Sequence, residues 1–332
     1  AFSPHQDIIS QRLRTLASLP SLTRGIVILS ISNLLQRTPP RSYLAAHSFL
    51  LESGSKLDTD AFKLQLEAAA YRHVSQVYEH GEYAVRGGII DLFPMGSNQP
   101  YRIDLFGDVI DTIRLFDPET QRSAENVDRI ELLPAREFPM TDQGIEKFRQ
   151  SYREKFTGDP MQSQIYSEVS EGNIPPGTEF YMPLFFEHTG SFLDYLPGNT
   201  VIVMDQDCTQ AATAFQGEVM DRYQTVGIDP ERPALPPQEL FQTAEDLGRK
   251  LADWQLVRYG ECPQGGEHAC QDFSTRRPEV LPVDVHAERP YHQLFEFIGT
   301  TSSRILISCE TTGRRENLKH VLNENDIYPE TL

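Results

Sequence analysis

The sequence lacks three features that would each indicate a class of protein. Its longest strongly apolar run, residues 26–31, is far shorter than the roughly 20 residues of a membrane-spanning helix. Four cysteines in 332 residues do not make a disulfide framework and fit a reducing cytosol, so we expect a cytoplasmic protein with no membrane partner. Positive charge is not in excess: the net charge of −18 excludes nucleic-acid binding by the average field, although a local basic patch could still bind.

The motifs of nucleotide chemistry are missing as well. No G-x-x-x-x-G-K-[ST] loop occurs, and "SGSK" at 53–56 is too short to wrap phosphates. The run "TVIVMD" ends at Asp205 as a magnesium-binding strand does, but Gln206 follows it. An amide cannot take up a proton as a second carboxylate would. We therefore predict that the chain carries no catalytic residue.

Three potential metal ligands, Cys262, His268 and Cys270, cluster in the glycine-rich stretch 260–272. Zinc sites usually combine four ligands and contain closely spaced cysteine pairs, and this stretch offers neither. We interpret it as a linker and predict no bound metal and no other cofactor.

The chain is long enough for two or three domains, each with its own core. Apolar periodicity predicts helices at 7–19, 58–71, 291–298 and 314–323. Apolar runs predict buried strands at 25–31 and 200–205 and a further strand at 304–309. The near-continuous run at 25–31 suggests a parallel sheet covered on both faces. A β-rich segment closes near 130–134, and prolines at 229–237 predict a stiff surface connection.

Residues 81–117 predict three short strands joined by tight turns. The dipeptide Gly107-Asp108 is a two-residue hairpin signature. Counting outward from this turn pairs Phe106 with Val109, Leu105 with Ile110, Asp104 with Asp111 and Arg102 with Ile113. One face would then be the core face, with Tyr101, Ile103, Leu105, Ile110 and Thr112. The opposite face would hold Arg102, Asp104, Phe106, Val109 and Asp111.

Phe106 is the unusual residue of this polar face. Asp104 and Asp111 would repel each other across the strands unless Arg102, on the diagonal, compensates them. An exposed aromatic beside an arginine is typical of a binding surface, but a loop could instead cover the ring, and the residues alone do not separate these readings. Arg86 adds to the first reading, because the Gly87-Gly88 pair after it allows a bulge or a close backbone approach. The register places Arg114 on the core side.

Residues 80–123, "HGEYAVRGGIIDLFPMGSNQPYRIDLFGDVIDTIRLFDPETQRS", closely resemble the second domain of bacterial transcription-repair coupling factors, and a looser version occurs in UvrB. Further matching motifs lie in order along the chain. They are "FSPHQDIISQRL" (2–13), "LLPAREFP" (132–139), "MPLFF" (182–186), "DPERPALPP" (229–237) and "GRRENL" (313–318).

The resemblance implies an α/β fold with a defined layout. A degenerate P-loop-type parallel sheet domain, like UvrB domain 1, would be interrupted by a β-rich α+β insert and followed by the start of a small α/β domain. Residues 1–40 would end the first half of domain 1, and 47–134 would form the inserted domain 2. Residues 135–268 would be the second half of domain 1, and 269–332 the start of domain 3.

The resemblance also implies a function without catalysis. Such a module recruits UvrA to stalled RNA polymerase, and the family's UvrA-contacting residues correspond to Arg86, Arg102 and Phe106. In the resting full-length protein, its C-terminal domain is expected to cover this surface. The polymerase, double-stranded DNA, ATP and magnesium would engage regions outside this chain, in the part that forms a DNA translocase. The alternatives are a UvrB-like damaged-DNA binder and a nucleotide-binding domain.

Overall fold

The computed structural model describes residues 3–205, 208–226, 229, 231–260, 271, 273, 280–283 and 289–330. The chain divides into two compact units, residues 1–261 and 262–332. Gln206 and the three potential metal ligands Cys262, His268 and Cys270 lie outside the described residues. The four domain ranges expected from the sequence remain predictions.

Helices occur in both units. In the first unit the α-helices are α1 (Gln6–Ser18), α2 (Ile31–Leu35), α3 (Arg41–Ala46), α4 (Thr59–Ala68), α5 (Asp142–Lys155), α6 (Gln164–Ser170), α7 (Cys208–Val226), α8 (Pro237–Leu240) and α9 (Ala244–Leu251). In the second they are α10 (His292–Thr300) and α11 (Thr312–Asn323). Short 3-10 helices cover Leu19–Ser21, Pro160–Gln162, Thr178–Phe185 and Phe192–Tyr195. No helix in the described part of the chain is both long and apolar enough to cross a membrane.

The strands fall mainly in the middle of the chain. They are β1 (Arg37–Thr38), β2 (Phe49–Glu52), β3 (Arg72–His73), β4 (Glu82–Arg86), β5 (Ile89–Leu92), β6 (Tyr101–Phe106), β7 (Val109–Phe116), β8 (Ser123–Val127), β9 (Arg129–Leu132), β10 (Gly190–Ser191), β11 (Val201–Asp205) and β12 (Gln255–Tyr259). Strands β3 to β8 form one sheet in chain order, which we call the large sheet. Its pairs are antiparallel except β3 with β4. The mixture of helices and several sheets confirms the α/β class.

One face of the large sheet is the main core. Ile90, Ile103 and Ile113 come from β5, β6 and β7 and are almost completely buried. They share a hydrophobic cluster with Phe62 and Leu66 of α4. Asp58 starts this helix, because its carboxylate accepts from the backbone N–H groups of the first turn. The helices predicted at 7–19 and 58–71 are therefore confirmed, and the apolar face of the large sheet is the covered one.

A second core is built around aromatic rings in the segment after the large sheet. Phe138, Phe148 and Phe185 stack with centroid separations of 4.7 and 4.9 Å. The prolines at 229–237 do not form a purely surface connection: Leu235 is buried in this core, and the hydroxyl of Tyr181 donates to the carbonyl of Pro233.

The predicted parallel sheet is present only in part. Strands β11 and β12 pair in parallel, from Val201 with Gln255 to Asp205 with Tyr259. The sheet is not covered on both faces, because the side chain of Val203 is 61% exposed. Residues 25–30 form no strand, and Ile28 is 91% exposed, so the prediction for that run was wrong. An apolar run forms a strand only where a neighbouring strand accepts its backbone hydrogen bonds, and none pairs with it among the described residues. A P-loop-type architecture is not established.

The second unit contains α10 and α11, close to the two predicted helices. The strand predicted at 304–309 is wrong for the same reason as the run at 25–30. These residues pair with no strand in the described part of the chain, and Leu306 is 79% exposed.

Candidate partner-binding face of the large sheet

On the face of the large sheet opposite the core, five charged side chains form a group that we call the charged face: Arg86, Asp91, Arg102, Asp104 and Arg114. Alternation along each strand puts them there, because their neighbours Ile90, Ile103 and Ile113 point into the core. The register places Asp91 beside Arg102 and Arg102 beside Arg114. A second row runs through Arg86, Ile89 and Asp104. The sheet thus gathers residues that are far apart in sequence.

Asp91 is the centre of the charged face. Its side chain is 0% exposed. Its Oδ1 accepts from Arg102 Nε at 2.7 Å, and its Oδ2 accepts from Arg102 Nη2 at 2.9 Å and from Arg86 Nη2 at 2.5 Å. One buried carboxylate therefore holds two guanidinium groups. The sequence analysis did not identify Asp91, although an aspartate inside the apolar strand "IIDL" is a signal that could have found it.

The side chain of Arg102 is held by several hydrogen bonds and by an aromatic ring. Its side chain is only 15% exposed, and the guanidinium lies 4.9 Å from the ring centroid of Phe116. Besides the two bonds to Asp91, its Nη1 donates to the carbonyl of Gln121 at 3.2 Å and to Ser123 Oγ at 3.4 Å. Hydrogen bonding to Asp91 raises the pKa of Arg102, against an opposing effect of burial. Arg102 is thus a permanently charged part of the sheet surface.

Arg86 is more open. Arg86 is the last residue of strand β4, and its side chain, which is 52% exposed, reaches Asp91 on β5. Gly87-Gly88 is a two-residue turn between β4 and β5, so residues 81–117 contain four strands rather than the three that the sequence predicts. Gly87 has φ +61°, which L side chains rarely adopt. A Cβ on Gly88 would lie 3.1 Å from the carbonyl oxygen of Leu105, so the predicted close backbone approach is confirmed.

The predicted register of the next hairpin is correct only beside its turn. Phe106 pairs with Val109 and Leu105 with Ile110, as counted. Beyond these pairs a bulge makes Asp111 an extra residue, so that Asp104 pairs with Thr112 and Arg102 with Arg114. Thr112 therefore leaves the predicted core face, Ile113 takes its place, and Arg114 moves to the charged face.

The bulge has a physical cause outside the hairpin. The backbone of residues 53–55 pairs with β7 at this point: Gly54 N donates to the Ile110 carbonyl at 2.8 Å, and Ile110 N donates to the Ser55 carbonyl at 2.9 Å. Ser53 Oγ donates to the Asp111 carbonyl at 3.0 Å. These bonds satisfy backbone groups that the ladder to β6 leaves free.

Asp104 has its own arginine. Arg114 Nη2 donates to Asp104 Oδ2 at 2.5 Å, and Thr112 Oγ1 donates to the same oxygen at 3.1 Å. The predicted compensation of Asp104 and Asp111 by Arg102 is therefore wrong, because Arg102 bonds to Asp91 instead. Three arginines and two aspartates leave the charged face with a local positive excess, in contrast to the net charge of −18 of the whole chain.

Phe106 lies at the end of the same face, and its ring is not covered. The residue is 83% exposed, which decides between the two readings that the sequence left open. It precedes the turn residue Gly107, whose φ is +66°. Ile89, two positions away by register, is also partly exposed at 36%. The face therefore combines an open aromatic ring and an aliphatic side chain with ordered arginines.

The sequence also raised the questions of a metal site and of a magnesium-binding strand that ends at Asp205. Among the described residues, no group of three or more His, Cys, Asp or Glu side chains is arranged to hold a metal. Asp205 ends β11 beside a cavity of about 210 Å³, which is also lined by Met204, Cys208 and Leu247. Its carboxylate is engaged locally, since hydrogen bonding to Asp205 raises the pKa of Tyr259.

Comparison with known proteins gives matches over the whole chain. A family model described as the UvrB interaction domain matches residues 49–138, and one described as the MFD D3 domain matches residues 297–332. The chain is 41% identical over 333 residues to the transcription-repair-coupling factor of Escherichia coli (strain K12), a match that covers 100% of this chain and 29% of that protein. The corresponding protein of Haemophilus influenzae is 40% identical over 335 residues, with the same coverage. That of Rickettsia bellii is 29% identical over 338 residues, covering 98% of this chain and 29% of the relative. The chain thus spans less than a third of the length of these curated relatives.

Proposed function

Because the chain belongs to the family of transcription-repair-coupling factors and carries their UvrB interaction and D3 domains, we propose that it is a recruiting module rather than an enzyme. Its partner is UvrA, which it brings to a stalled RNA polymerase in transcription-coupled repair. The binding surface is the charged face together with Phe106. Within this surface, Arg86, Arg102 and Phe106 are the residues that determine binding.

The observation that carries this proposal is the exposure of Phe106. A ring that is 83% exposed gains nothing from folding, so it is available to fill an apolar pocket on a partner. Interface energies are concentrated in a few such anchors, and arginines are enriched beside them. Arg86 is half exposed on the same face and supplies a directional donor to a carboxylate.

The other steps of transcription-coupled repair depend on parts of the full-length protein beyond this chain. The C-terminal domain of the full-length protein covers the charged face in the resting state, so that UvrA binding depends on a conformational change. Polymerase and double-stranded DNA bind elsewhere, where ATP and magnesium drive translocation. The alternatives, a damaged-DNA binder or a nucleotide-binding domain, find no support in a net charge of −18 or in a sequence without a phosphate loop.

The test is a titration of the chain with purified UvrA, followed by light scattering or calorimetry, in parallel with duplex DNA and with ATP-magnesium. We expect saturable binding to UvrA at physiological salt, and no binding to DNA or nucleotide. Binding of DNA or nucleotide by the chain without any binding of UvrA would overturn the proposal.

A further inference from the structure

We propose that Asp91 is a positioning residue for the binding of UvrA. It holds the guanidinium of Arg86 in place at the surface through an ion pair that it shares with Arg102. The inference rests on the proposed function, because it concerns the same face and the same partner. It adds a residue to which the family resemblance assigns no role.

The burial of Asp91 excludes direct contact between its carboxylate and a partner protein. Its side chain is 0% exposed, so a partner protein that approaches the sheet meets the arginines and not the carboxylate. A buried carboxylate is costly unless it is paired and hydrogen-bonded, and both oxygens of Asp91 accept from arginine. A buried ion pair is weak evidence of a gain in stability over an apolar substitute. Its specific effect here is to fix two long side chains in one geometry.

The two arginines have different roles in this arrangement. The donor groups of Arg102 already reach Asp91, Gln121 and Ser123, and its guanidinium lies over Phe116. Arg86 makes one hydrogen bond in the described part of the chain, from Nη2 to Asp91, which leaves the rest of its guanidinium for a partner. Arg102 supports the carboxylate that in turn orients Arg86.

Such support strengthens binding by preorganisation. An arginine that is free in solution loses rotamer freedom when a partner orders it, whereas a held one has already lost it. Asp91 is well placed to hold both arginines, because it lies on β5, between the strands that carry Arg86 and Arg102. Removing its charge should release Arg86 without removing any atom that UvrA touches.

The experiment compares Asp91→Asn with Glu82→Gln in UvrA titrations. Glu82 is a matched control, because it is another buried carboxylate of the large sheet that pairs with an arginine, Arg72, and the substitution changes the net charge equally. We expect Asp91→Asn to weaken binding by about tenfold, and Glu82→Gln by less than about threefold. Equal effects of the two variants would show that only sheet stability or net charge matters, and would overturn the proposal.

A double-mutant cycle with Arg86→Ala then separates positioning from a general structural effect. If Asp91 acts through Arg86, Asp91→Asn should cost little in a chain that already carries Arg86→Ala. An undiminished loss in that background overturns the proposal. Thermal melts of every variant accompany the titrations. If Asp91→Asn does not fold, Arg102→Gln is compared with the double variant Arg102→Gln, Asp91→Asn, which leaves no unpaired buried charge. Equal binding of UvrA by these two variants overturns the proposal.

The outcomes are distinct from those that test the proposed function. If the unsubstituted chain does not bind UvrA, the proposed function fails, and this inference fails with it. If the chain binds UvrA and Phe106→Ala weakens that binding while Asp91→Asn does not, only the role of Asp91 is rejected.

Discussion

Arg102 and Arg114 lie directly opposite each other on β6 and β7, on the same face of the large sheet. Two like charges in this position would repel, but each has its own carboxylate: Asp91 for Arg102 and Asp104 for Arg114. The bulge at Asp111 creates this arrangement. Arg114 is therefore part of the candidate binding surface, and a control substitution has to be taken from another part of the molecule.

Phe106→Ala should weaken binding of UvrA sharply while leaving the fold intact. Loss of a central aromatic anchor commonly costs about 2 kcal/mol or more, which corresponds to roughly thirtyfold in affinity. Because the ring is 83% exposed in the free chain, the melting temperature should hardly change. Titration with UvrA and a thermal melt on the same samples measure both quantities.

The matched control for Phe106→Ala is Leu64→Ala. Leu64 is a large apolar residue of α4 that is 67% exposed, and it is not on the charged face. Its substitution should leave both UvrA binding and stability unchanged. Should Phe106→Ala bind UvrA as tightly as the unsubstituted chain, the partner surface lies elsewhere.

Arg102→Ala and Arg86→Ala should differ strongly in their effect on stability. Removal of Arg102 leaves the fully buried carboxylate of Asp91 with Arg86 alone, and breaking such a pair costs about 3 kcal/mol. Arg86 is half exposed, and the loss of an exposed pair costs about 1 kcal/mol or less. Arg102→Glu should be worse than Arg102→Ala, because it places a second acid against Asp91. Chemical denaturation gives these values, and equal costs for the two alanine variants would contradict the observed burial.

The charged face could be predicted from the sequence as far as local signals reach. The turn at Gly107-Asp108 fixes the pairs beside it, so the position of Phe106 on the polar face followed from two-residue alternation, whereas the exposure of its ring did not. The bulge did not follow, because it depends on bonds from Ser53 and Gly54, more than fifty residues earlier in the chain. Arg114 was consequently placed on the wrong face.

The reach of local signals also explains which parts of the fold could be predicted from the sequence. The helices 7–19 and 58–71 carry their own signals in apolar periodicity and in the cap at Asp58. The runs at 25–31 and 304–309 carry only composition, and a strand also needs a partner that composition does not supply. Asp91 was missed because its partners became visible only when Gly87-Gly88 was recognised as a turn that brings β4 and β5 together.

ATP-magnesium should not stabilise the chain. The sequence has no phosphate loop, and Gln206 follows Asp205 where a second carboxylate would be needed. A ligand present at 100 times its dissociation constant would stabilise the fold by about 2.7 kcal/mol, an effect that a thermal melt detects easily. A reproducible rise in melting temperature with ATP-magnesium would refute the non-catalytic assignment. In the same assay a chelator should have no effect, since Cys262, His268 and Cys270 are predicted to be linker residues.

The stability of the chain should fall above about pH 10, and Tyr71 should account for part of the loss. Burial raises the pKa of Tyr71 above its usual value of about 10. Below pH 10 both states keep the phenol proton. As the pH rises further, the unfolded chain releases this proton first, so the free energy of unfolding decreases, by up to about 1.4 kcal/mol per pH unit for one such group.

The hydroxyl of Tyr71 donates to the carbonyl of Leu133 at 2.7 Å and accepts from Met95 N at 3.2 Å. Tyr71→Phe should therefore cost about 1–3 kcal/mol at pH 7 and make the alkaline decline shallower. Tyr78→Phe is the control, because Tyr78 is 53% exposed and its substitution should not change stability at pH 7. Denaturant titrations at pH 7 to 11 measure both effects, and an unchanged alkaline slope in Tyr71→Phe would contradict this account.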